Sequence, residues 1–272
     1  MDFDLLLRKV AENPTLDDCC ALLEKANGYE EVRKLFDFAS KVRDEKVGRT
    51  LKLDSFVYPV KRCVMEKYCI YCSNYVEKFR LEPLSLEEFR KAIDFIKECG
   101  MKRVTLEGGF SRDNSRVFDF VKISTKAKLE TALDIFPISS EELVKFKLLG
   151  VSEIYSSIEI ADPKLFSYFK PGESFEERIK LAKEVCKNEL GLSSTLIVGL
   201  PNTGYREWVK GILMLKDFEC LKHLAISAFN PVYGTPLENA QPISNVKVAK
   251  VVAAARILLP EADISACGSV GI

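Results

Sequence analysis

Three cysteines lie within ten residues of one another, in the stretch CVMEKYCIYC. Five residues separate Cys63 from Cys69, and two residues separate Cys69 from Cys72. Thiolates are soft ligands, which suit zinc, copper(I) and iron–sulfur clusters. Three thiols in so short a segment therefore predict a metal centre rather than three buried apolar side chains.

The number of nearby ligands favours an iron–sulfur cluster over zinc. A structural zinc ion is usually enclosed by four protein ligands, and this segment supplies three. The single histidine of the chain, His223, falls in a predicted strand, where we expect a wall residue rather than a fourth ligand. Three thiolates on a cubic cluster would leave one iron open to bind and activate a small molecule.

The composition excludes several classes of protein. The chain has 272 residues, 47% of them apolar, so a substantial core can form. Forty basic residues balance forty acidic ones, which argues against nucleic-acid binding. No stretch approaches the roughly 20 apolar residues of a membrane span, and the N-terminus lacks the apolar core of a signal peptide.

We therefore expect a cytoplasmic protein without membrane contact. In that compartment the nine cysteines should be reduced, metal-bound or buried rather than paired in disulfides. Five of them fall on predicted helices or just after one and are expected to be small buried residues: Cys19, Cys20, Cys99, Cys186 and Cys220.

Two kinds of pattern divide the chain into an N-terminal helical extension, residues 1–50, and a barrel core, residues 51–272. The extension contains amphipathic helical patterns at 15–26 and 28–47. From residue 55 onward short apolar runs alternate with amphipathic helices, as in a parallel sheet with helices outside it. The predicted strands span 55–60, 102–107, 128–135, 152–159, 192–200, 223–229 and 262–268.

Repeated strand–helix units curl into a barrel or into a doubly wound layer. The chain has neither G-x-G-x-x-G after the first strand nor the phosphate-binding G-x-x-x-x-G-K-S/T, so we predict an α/β fold with a TIM-like (β/α) barrel. The barrel should be partial or open, with about six to seven parallel strands, and its function should lie at the C-terminal strand ends. These ends carry the cysteine loop, Gly108-Gly109, Glu159, Gly199-Leu200-Pro201 and Asn230-Pro231.

These features together resemble the radical SAM superfamily. There, a three-cysteine loop after the first strand holds a 4Fe–4S cluster, and S-adenosylmethionine (SAM) binds the fourth iron. The reduced cluster cleaves SAM, and the resulting 5′-deoxyadenosyl radical removes a hydrogen atom from the substrate. The resemblance implies a 4Fe–4S cluster on Cys63, Cys69 and Cys72, SAM as a further cofactor, a low-potential electron donor and a small-molecule substrate.

Other segments resemble the biotin-synthase-like branch of that superfamily. The stretch ALLEKANGYEEVRKLFDFASKVRDEKVG is similar to its helical lead-in. Tyr71, the residue before the last cysteine, matches an aromatic residue near the adenine. TLEGGF stands where the branch has a Gly-Gly-Glu motif, which implies that the backbone of Gly108 and Gly109 meets the SAM amino group. Phe110 replaces the acid of that motif.

Two later segments add three candidate SAM contacts. SSIEIADPKLFSYFKPGESFEERIKLA resembles the fourth-strand region of the branch. This implies that Glu159 contacts SAM and that Arg178 pairs with its carboxylate, a geometry that arginine suits. STLIVGLPNT resembles the fifth-strand motif that flanks the adenine and contains Ile197, while SAFNPVYGTPLEN resembles the sixth-strand segment. The resemblance thus runs over essentially the whole chain.

The five-then-two spacing is longer than the three-then-two spacing common in the superfamily. Among biotin-synthase-like proteins it resembles the HcgA family, also called HmdB, which belongs to the assembly of the iron–guanylylpyridinol cofactor of [Fe]-hydrogenase in methanogens. That resemblance implies a role in making the pyridinol precursor. Three alternatives stay open: a zinc-stabilised scaffold without radical chemistry, another biotin-synthase-like radical SAM enzyme, and a metal-independent barrel enzyme such as an aldolase.

The sequence continues for four residues after ADISACG, the last predicted strand, whereas a full eight-stranded barrel would need another helix and strand. We therefore expect one of three situations. The barrel is open, the chain is truncated, or a partner protein completes the barrel.

Deleting two residues from 64–68 tests what the longer cysteine loop does. A cluster requires three sulfurs at fixed separations, so we expect the extra length to bulge away from the metal toward the barrel opening. The shortened protein should then keep its iron–sulfur absorbance, and substrate-coupled turnover should change if the loop forms part of the pocket. Loss of the cluster would show that the spacing itself serves metal binding.

Overall fold

The computed structural model of the protein describes residues 1–267, and its centre is one sheet of seven parallel strands. The strands are hydrogen-bonded in the order in which they occur in the chain, as expected for a (β/α) barrel. They are β1 (Ser55–Val57), β2 (Arg103–Phe110), β3 (Glu130–Phe136), β4 (Val151–Tyr155), β5 (Gly191–Val198), β6 (Leu221–Ala228) and β7 (Asp263–Cys267).

The sheet is open, because β1 and β7 do not pair with each other within residues 1–267. In that part of the chain β1 pairs with β2 alone, and β7 pairs with β6 alone. Across the gap, the Lys52 ammonium lies 2.7 Å from the Asp263 carboxylate, close to the start of both strands. The predicted partial barrel with parallel strands is therefore confirmed.

Three helices precede the sheet and seven lie along its connections. Side chains fix several helix starts: Thr15 accepts a hydrogen bond from a backbone N–H of α2, and Ser85 and Ser139 form capping boxes. No helix within residues 1–267 is long and apolar enough to cross a lipid bilayer. The helices are α1 (Phe3–Glu12), α2 (Leu16–Lys25), α3 (Tyr29–Lys46), α4 (Leu86–Glu98), α5 (Val117–Lys126), α6 (Ser140–Leu148), α7 (Pro163–Phe169), α8 (Phe175–Lys187), α9 (Tyr205–Lys216) and α10 (Asn245–Leu258).

Two of these helices carry a weak signal in the sequence. Helix α5 begins without a hydrogen bond from a capping side chain. Helix α7 has seven residues, too few to show a helical period, although Asp162 caps it and Pro163 opens it. The sequence predicts barrel helices at 85–100, 139–150, 174–191, around 203–217 and 246–259. Neither α5 nor α7 is among them.

Alternation along the strands divides their side chains between the outer helices and the barrel interior. In β2, Val104 and Leu106 pack against the helices, and Thr105 and Glu107 face inward. A second apolar cluster joins β5 and β6 with α9, α10 and the three N-terminal helices. Since α2 packs on α9 and α3 packs on α10, the N-terminal helices cover the second half of the barrel. A domain boundary at residue 50 stays a prediction.

The cysteines outside the predicted metal loop correct two expectations. Cys186 and Cys220 form a disulfide, because the end of α8 and the segment before β6 bring their Cα atoms within 5.3 Å of each other. Cys99 is exposed, since it follows the last turn of α4. Cys19 and Cys20 are buried, as predicted.

A network of ion pairs fills the barrel at the N-terminal ends of the strands. The Arg103 guanidinium donates to both carboxylate oxygens of Glu153, at 2.7 and 3.0 Å, and to Asp54 at 3.0 Å. Ser193 of β5 donates its hydroxyl proton to Glu153. Because the Glu153 side chain is only 5% exposed, its charge depends on these partners for compensation. The network joins β2, β4 and β5 below the cavity.

Replacing Glu153 by Gln should lower the free energy of unfolding by about 3 kcal/mol, because Arg103 loses its most deeply buried partner. Urea unfolding measures the change. The matched control is Glu87→Gln, which breaks a pair with Lys91 in which both side chains are more than 70% exposed, and it should cause no measurable loss. Equal stability of the Glu153→Gln and wild-type proteins would contradict this role of the network.

Candidate active site

A cavity of about 490 Å³ lies at the C-terminal ends of the strands. This is the end at which (β/α) barrels carry their functional residues. Every residue that the sequence proposes for the metal or for SAM lines it: Cys63, Cys69, Cys72, Tyr71, Gly108, Gly109, Glu159, Arg178 and Ile197. Gly199 and Asn230 also follow strands, but they are not part of the lining; Gly199 packs against Ile243 instead.

The two glycines at the end of β2 let the cysteine loop approach that strand closely. The loop continues alongside β2, because Gly109 donates its N–H to the Lys61 carbonyl at 3.1 Å and Val64 donates to the Phe110 carbonyl at 2.6 Å. A Cβ atom on Gly109 would lie 2.3 to 2.6 Å from backbone and Cβ atoms of Cys63. Such separations are far below van der Waals contact, so only glycine permits this position of Cys63.

The longer cysteine loop packs onto the turn after α7 instead of simply bulging outward. A Cβ on Gly172 would lie 2.2 Å from the Lys67 carbonyl oxygen, so this glycine also permits a close backbone approach. Ile70 donates its N–H to the Phe169 carbonyl at 2.9 Å, and Met65 lines the cavity. The expectation of an outward bulge is thus only partly right, since part of the loop lines the cavity and part packs against the turn after α7.

The three thiols lie in surroundings that favour their protonated form. Cys63 and Cys69 are buried and Cys72 is half-buried. Burial raises the pKa of all three thiols, and Cys72 raises those of the other two further. Thiolate formation should therefore accompany metal binding and release protons.

The donor set fits an iron–sulfur cluster with one open iron, because three soft ligands line one cavity. Within residues 1–267, no three His, Cys, Asp or Glu side chains are grouped so as to hold a metal ion. The assignment of a cluster therefore rests on the type and number of the donors.

Two cations and two carboxylates form a buried charge cluster beside the thiols. Lys170 contacts Glu159 at 2.7 Å and Glu173 at 3.2 Å, and Arg178 contacts Glu173 at 2.5 Å. Three of these side chains are at most 7% exposed, and Glu159 is 18% exposed. The members are Glu159, Lys170, Glu173 and Arg178. The sequence analysis missed Lys170 and Glu173, although both stand in the quoted fourth-strand segment as KPGE.

Within this cluster Glu159 and Arg178 do not contact each other directly. Glu159 accepts a hydrogen bond from the Tyr71 hydroxyl, which ties it to the cysteine loop. Arg178 stacks over the Phe136 ring at 3.8 Å. Burial would raise the pKa of Glu173, but Arg178 and Lys170 outweigh it and hold that pKa below its ordinary value. The four charges compensate one another in a region with little access to water.

His223 is a wall residue of the cavity, as predicted. Its Nδ1 lies 3.1 Å from the Tyr155 hydroxyl and its Nε2 lies 2.7 Å from the Ser265 hydroxyl. Burial lowers the pKa of His223, which favours the neutral ring. Because both ring nitrogens already have protein partners, the histidine positions Tyr155 rather than offering a free ligand.

Two family models match the sequence. The first, described as the radical SAM superfamily, covers residues 57–214, which is more than half of the chain. The second, described as the Biotin and Thiamin Synthesis associated domain, covers residues 225–269. The chain therefore belongs to the radical SAM superfamily and is an enzyme of that superfamily.

Individual relatives place the chain among biotin-synthase-like proteins. It is 31% identical to an uncharacterized protein of Methanocaldococcus jannaschii, over 93% of this chain and 69% of that protein. It is 28% identical to the [FeFe] hydrogenase maturase subunit HydE of Thermotoga maritima, over 92% of this chain and 72% of HydE. It is 26% identical to 3-methylornithine synthase of Methanosarcina barkeri, over 97% of this chain and 77% of the synthase.

The fold agrees with these relationships. A crystal structure of methylornithine synthase superimposes with a TM-score of 0.83, covering 95% of this chain and 78% of the synthase, at 23% sequence identity. The family models and the sequence relatives confirm the predicted resemblance to the biotin-synthase-like branch. The finer resemblance to the HcgA family stays a prediction.

Replacing Gly109 by Ala should displace Cys63 and reduce the iron bound after anaerobic reconstitution. Overpacking of this kind costs about 1 to 3 kcal/mol, so the loop should shift while the barrel stays folded. Iron per chain and circular dichroism measure the two effects. Gly204→Ala is the control, because its new Cβ would meet only a Glu207 carboxylate oxygen, at 3.7 Å. Unchanged iron in Gly109→Ala would show that the close approach is not needed to position Cys63.

Proposed function

We propose that the enzyme holds a 4Fe–4S cluster through Cys63, Cys69 and Cys72 and binds SAM beside it. One observation carries the proposal: in a chain of this superfamily, the three thiols, the glycine pair and the buried charge cluster line one cavity. When bound, the cluster and SAM together supply a 5′-deoxyadenosyl radical that removes a hydrogen atom from a substrate. The chain itself must bind, orient and shield these groups.

The charged and apolar parts of the cavity suit different parts of SAM. The buried charge cluster offers carboxylates and cations for the amino and carboxylate groups. Tyr71 and Ile197 pack against an apolar cluster that includes Phe169 and Leu200, and these surfaces suit the adenine. Gly109 lies against Cys63 of the cysteine loop, and the family resemblance assigns the backbone of Gly108 and Gly109 to the SAM amino group.

We propose further that the reaction contributes to the pyridinol part of the iron–guanylylpyridinol cofactor of [Fe]-hydrogenase. The support is the five-then-two cysteine spacing, in which the chain resembles the HcgA family. The substrate would be a small molecule, and a low-potential donor would supply the electron. A partner protein could cover the open side between β1 and β7, where Phe56 is 53% exposed and lines the cavity.

Replacing Glu159 by Gln should weaken SAM binding about tenfold, because the isosteric amide removes a charged hydrogen-bond acceptor. Isothermal titration calorimetry on the reconstituted protein measures this affinity, and iron content should match that of the wild type. Glu189→Gln serves as the control, since the Glu189 side chain is 87% exposed and does not line the cavity. Unchanged affinity in Glu159→Gln would remove this carboxylate from the SAM site.

The proposed reaction is tested anaerobically with reconstituted protein, dithionite and SAM. The low-mass fraction of cells that make the iron–guanylylpyridinol cofactor, grown on deuterated nutrients, supplies candidate substrates. We expect deuterium in 5′-deoxyadenosine and a new pyridinol in the mass spectrum. Cys69→Ala should give neither product, whereas Cys99→Ala, which changes an exposed cysteine, should behave as the wild type.

Two results would contradict parts of this proposal. A colourless protein that contains only zinc would contradict the radical chemistry and favour the scaffold interpretation. Labelled 5′-deoxyadenosine without any pyridinol would keep the radical chemistry and reject the pyridinol role.

A further inference from the structure

Two carboxyl groups face the cavity side by side from neighbouring strands. Glu107 of β2 and Asp134 of β3 are register partners in the parallel pairing, so their side chains point to the same face of the sheet. Both line the cavity. We call these two residues the carboxyl pair. Neither belongs to the residues that the sequence analysis proposes for the metal or for SAM.

Within residues 1–267, no side chain or backbone N–H donates a hydrogen bond to the carboxyl group of Glu107 or Asp134. Burial raises the pKa of Glu107. Burial also raises the pKa of Asp134, to about 7, and the neighbouring Glu107 adds to that effect. Both residues are half-buried at the cavity wall, so the groups that can hydrogen-bond to their carboxyl groups are those that enter the cavity.

The cations nearest to the carboxyl pair are already compensated. Arg178 lowers the pKa of Asp134 somewhat, but its guanidinium is hydrogen-bonded to Glu173 at 2.5 and 2.8 Å. Lys170 is likewise held by Glu159 and Glu173. The buried charge cluster therefore sums to zero and leaves no cation over for the carboxyl pair.

The carboxylates that stabilise the barrel at the N-terminal ends of its strands have hydrogen-bond donors, unlike the carboxyl pair. Glu153 also points into the barrel, but Arg103 donates to both of its carboxylate oxygens. Asp54 accepts from the same arginine and from Thr105. A carboxyl group that only stabilised the fold would be expected to have such a partner, and Asp134 has none.

We propose that Glu107 and Asp134 form the subsite that binds a protonated amine of the substrate. A protonated amine between the two carboxyl groups would compensate their negative charge and donate hydrogen bonds to them. Ser157, Thr195 and Ser227 line the cavity with neutral hydroxyls. The four members of the buried charge cluster also line it, and they compensate one another. The assignment of this amine to the substrate rests on the proposed function.

Matched pairs of small molecules test the carboxyl pair directly. The probes are 1,4-diaminobutane against 1,4-butanediol, and 5-aminopentanoate against 5-hydroxypentanoate, titrated into the reconstituted protein by calorimetry with and without SAM. The wild type should bind each amine about tenfold more tightly than its hydroxyl partner, since a charged hydrogen bond is lost in the latter. Asp134→Asn and Glu107→Gln, which keep the shape of the side chain, should lose this preference.

Iron content and SAM affinity are measured in the same variants, and Glu189→Gln is the exposed control. Loss of amine preference with wild-type iron and SAM affinity supports the subsite. No preference in the wild type, or a preference that survives in both variants, overturns it. Weaker SAM binding in either variant assigns the pair to SAM and also overturns it. A wild type that binds amines but neither iron nor SAM would refute the proposed function alone.

Discussion

The buried charge cluster is the constraint on which the rest of the site depends. Removing a lysine, an arginine and two glutamates from water costs several kcal/mol per ion, unless each charge is paired with good geometry. Here the pairs run from Glu159 after β4, through Lys170 and Glu173 in the turn after α7, to Arg178 in α8. A shift of any of these segments would leave a buried charge uncompensated, so the cluster holds strand, turn and helix in one arrangement.

The cysteine loop is held against this arrangement from two sides. On one side Gly109 receives the backbone of Cys63, and on the other Gly172 receives the carbonyl of Lys67. The Tyr71 hydroxyl adds a polar link by donating to Glu159. Both backbone contacts exist because a side-chain atom is missing, and the loop therefore depends on two glycines that lie more than 60 positions apart in the sequence.

The interior of the barrel divides into a part that supports the fold and a part that is left for ligands. At the N-terminal ends of the strands, Arg103 compensates Glu153 and Asp54, and the space is filled. One layer higher, Asp134 lacks such a partner, and the cavity remains open. Within residues 1–267, the arginine that compensates the lower carboxylates has no counterpart at the level of Asp134, which faces the cavity.

The sequence by itself determined the class of fold and singled out three candidate metal donors. Strand and helix periods are local properties, so the alternation of strands and helices and a count of about six to seven strands follow from them. The structure has seven parallel strands paired in chain order. The cysteine spacing is also local, which is why Cys63, Cys69 and Cys72 stand out without any structure. Helix α7 was not predicted, because a seven-residue helix is too short to show a helical period.

Only the tertiary structure decided which distant groups meet. Lys170 and Glu173 read as ordinary surface charges in a KPGE turn, and their burial depends on packing between α7, α8 and the cysteine loop. Arg178 pairs with Glu173, and no local sequence pattern predicts that pairing. Likewise Glu107 and Asp134 become neighbours through strand register, and Cys186 reaches Cys220 through helix packing. Pairing of charges and thiols depends on distances in space, and those distances are fixed only when the whole chain has folded.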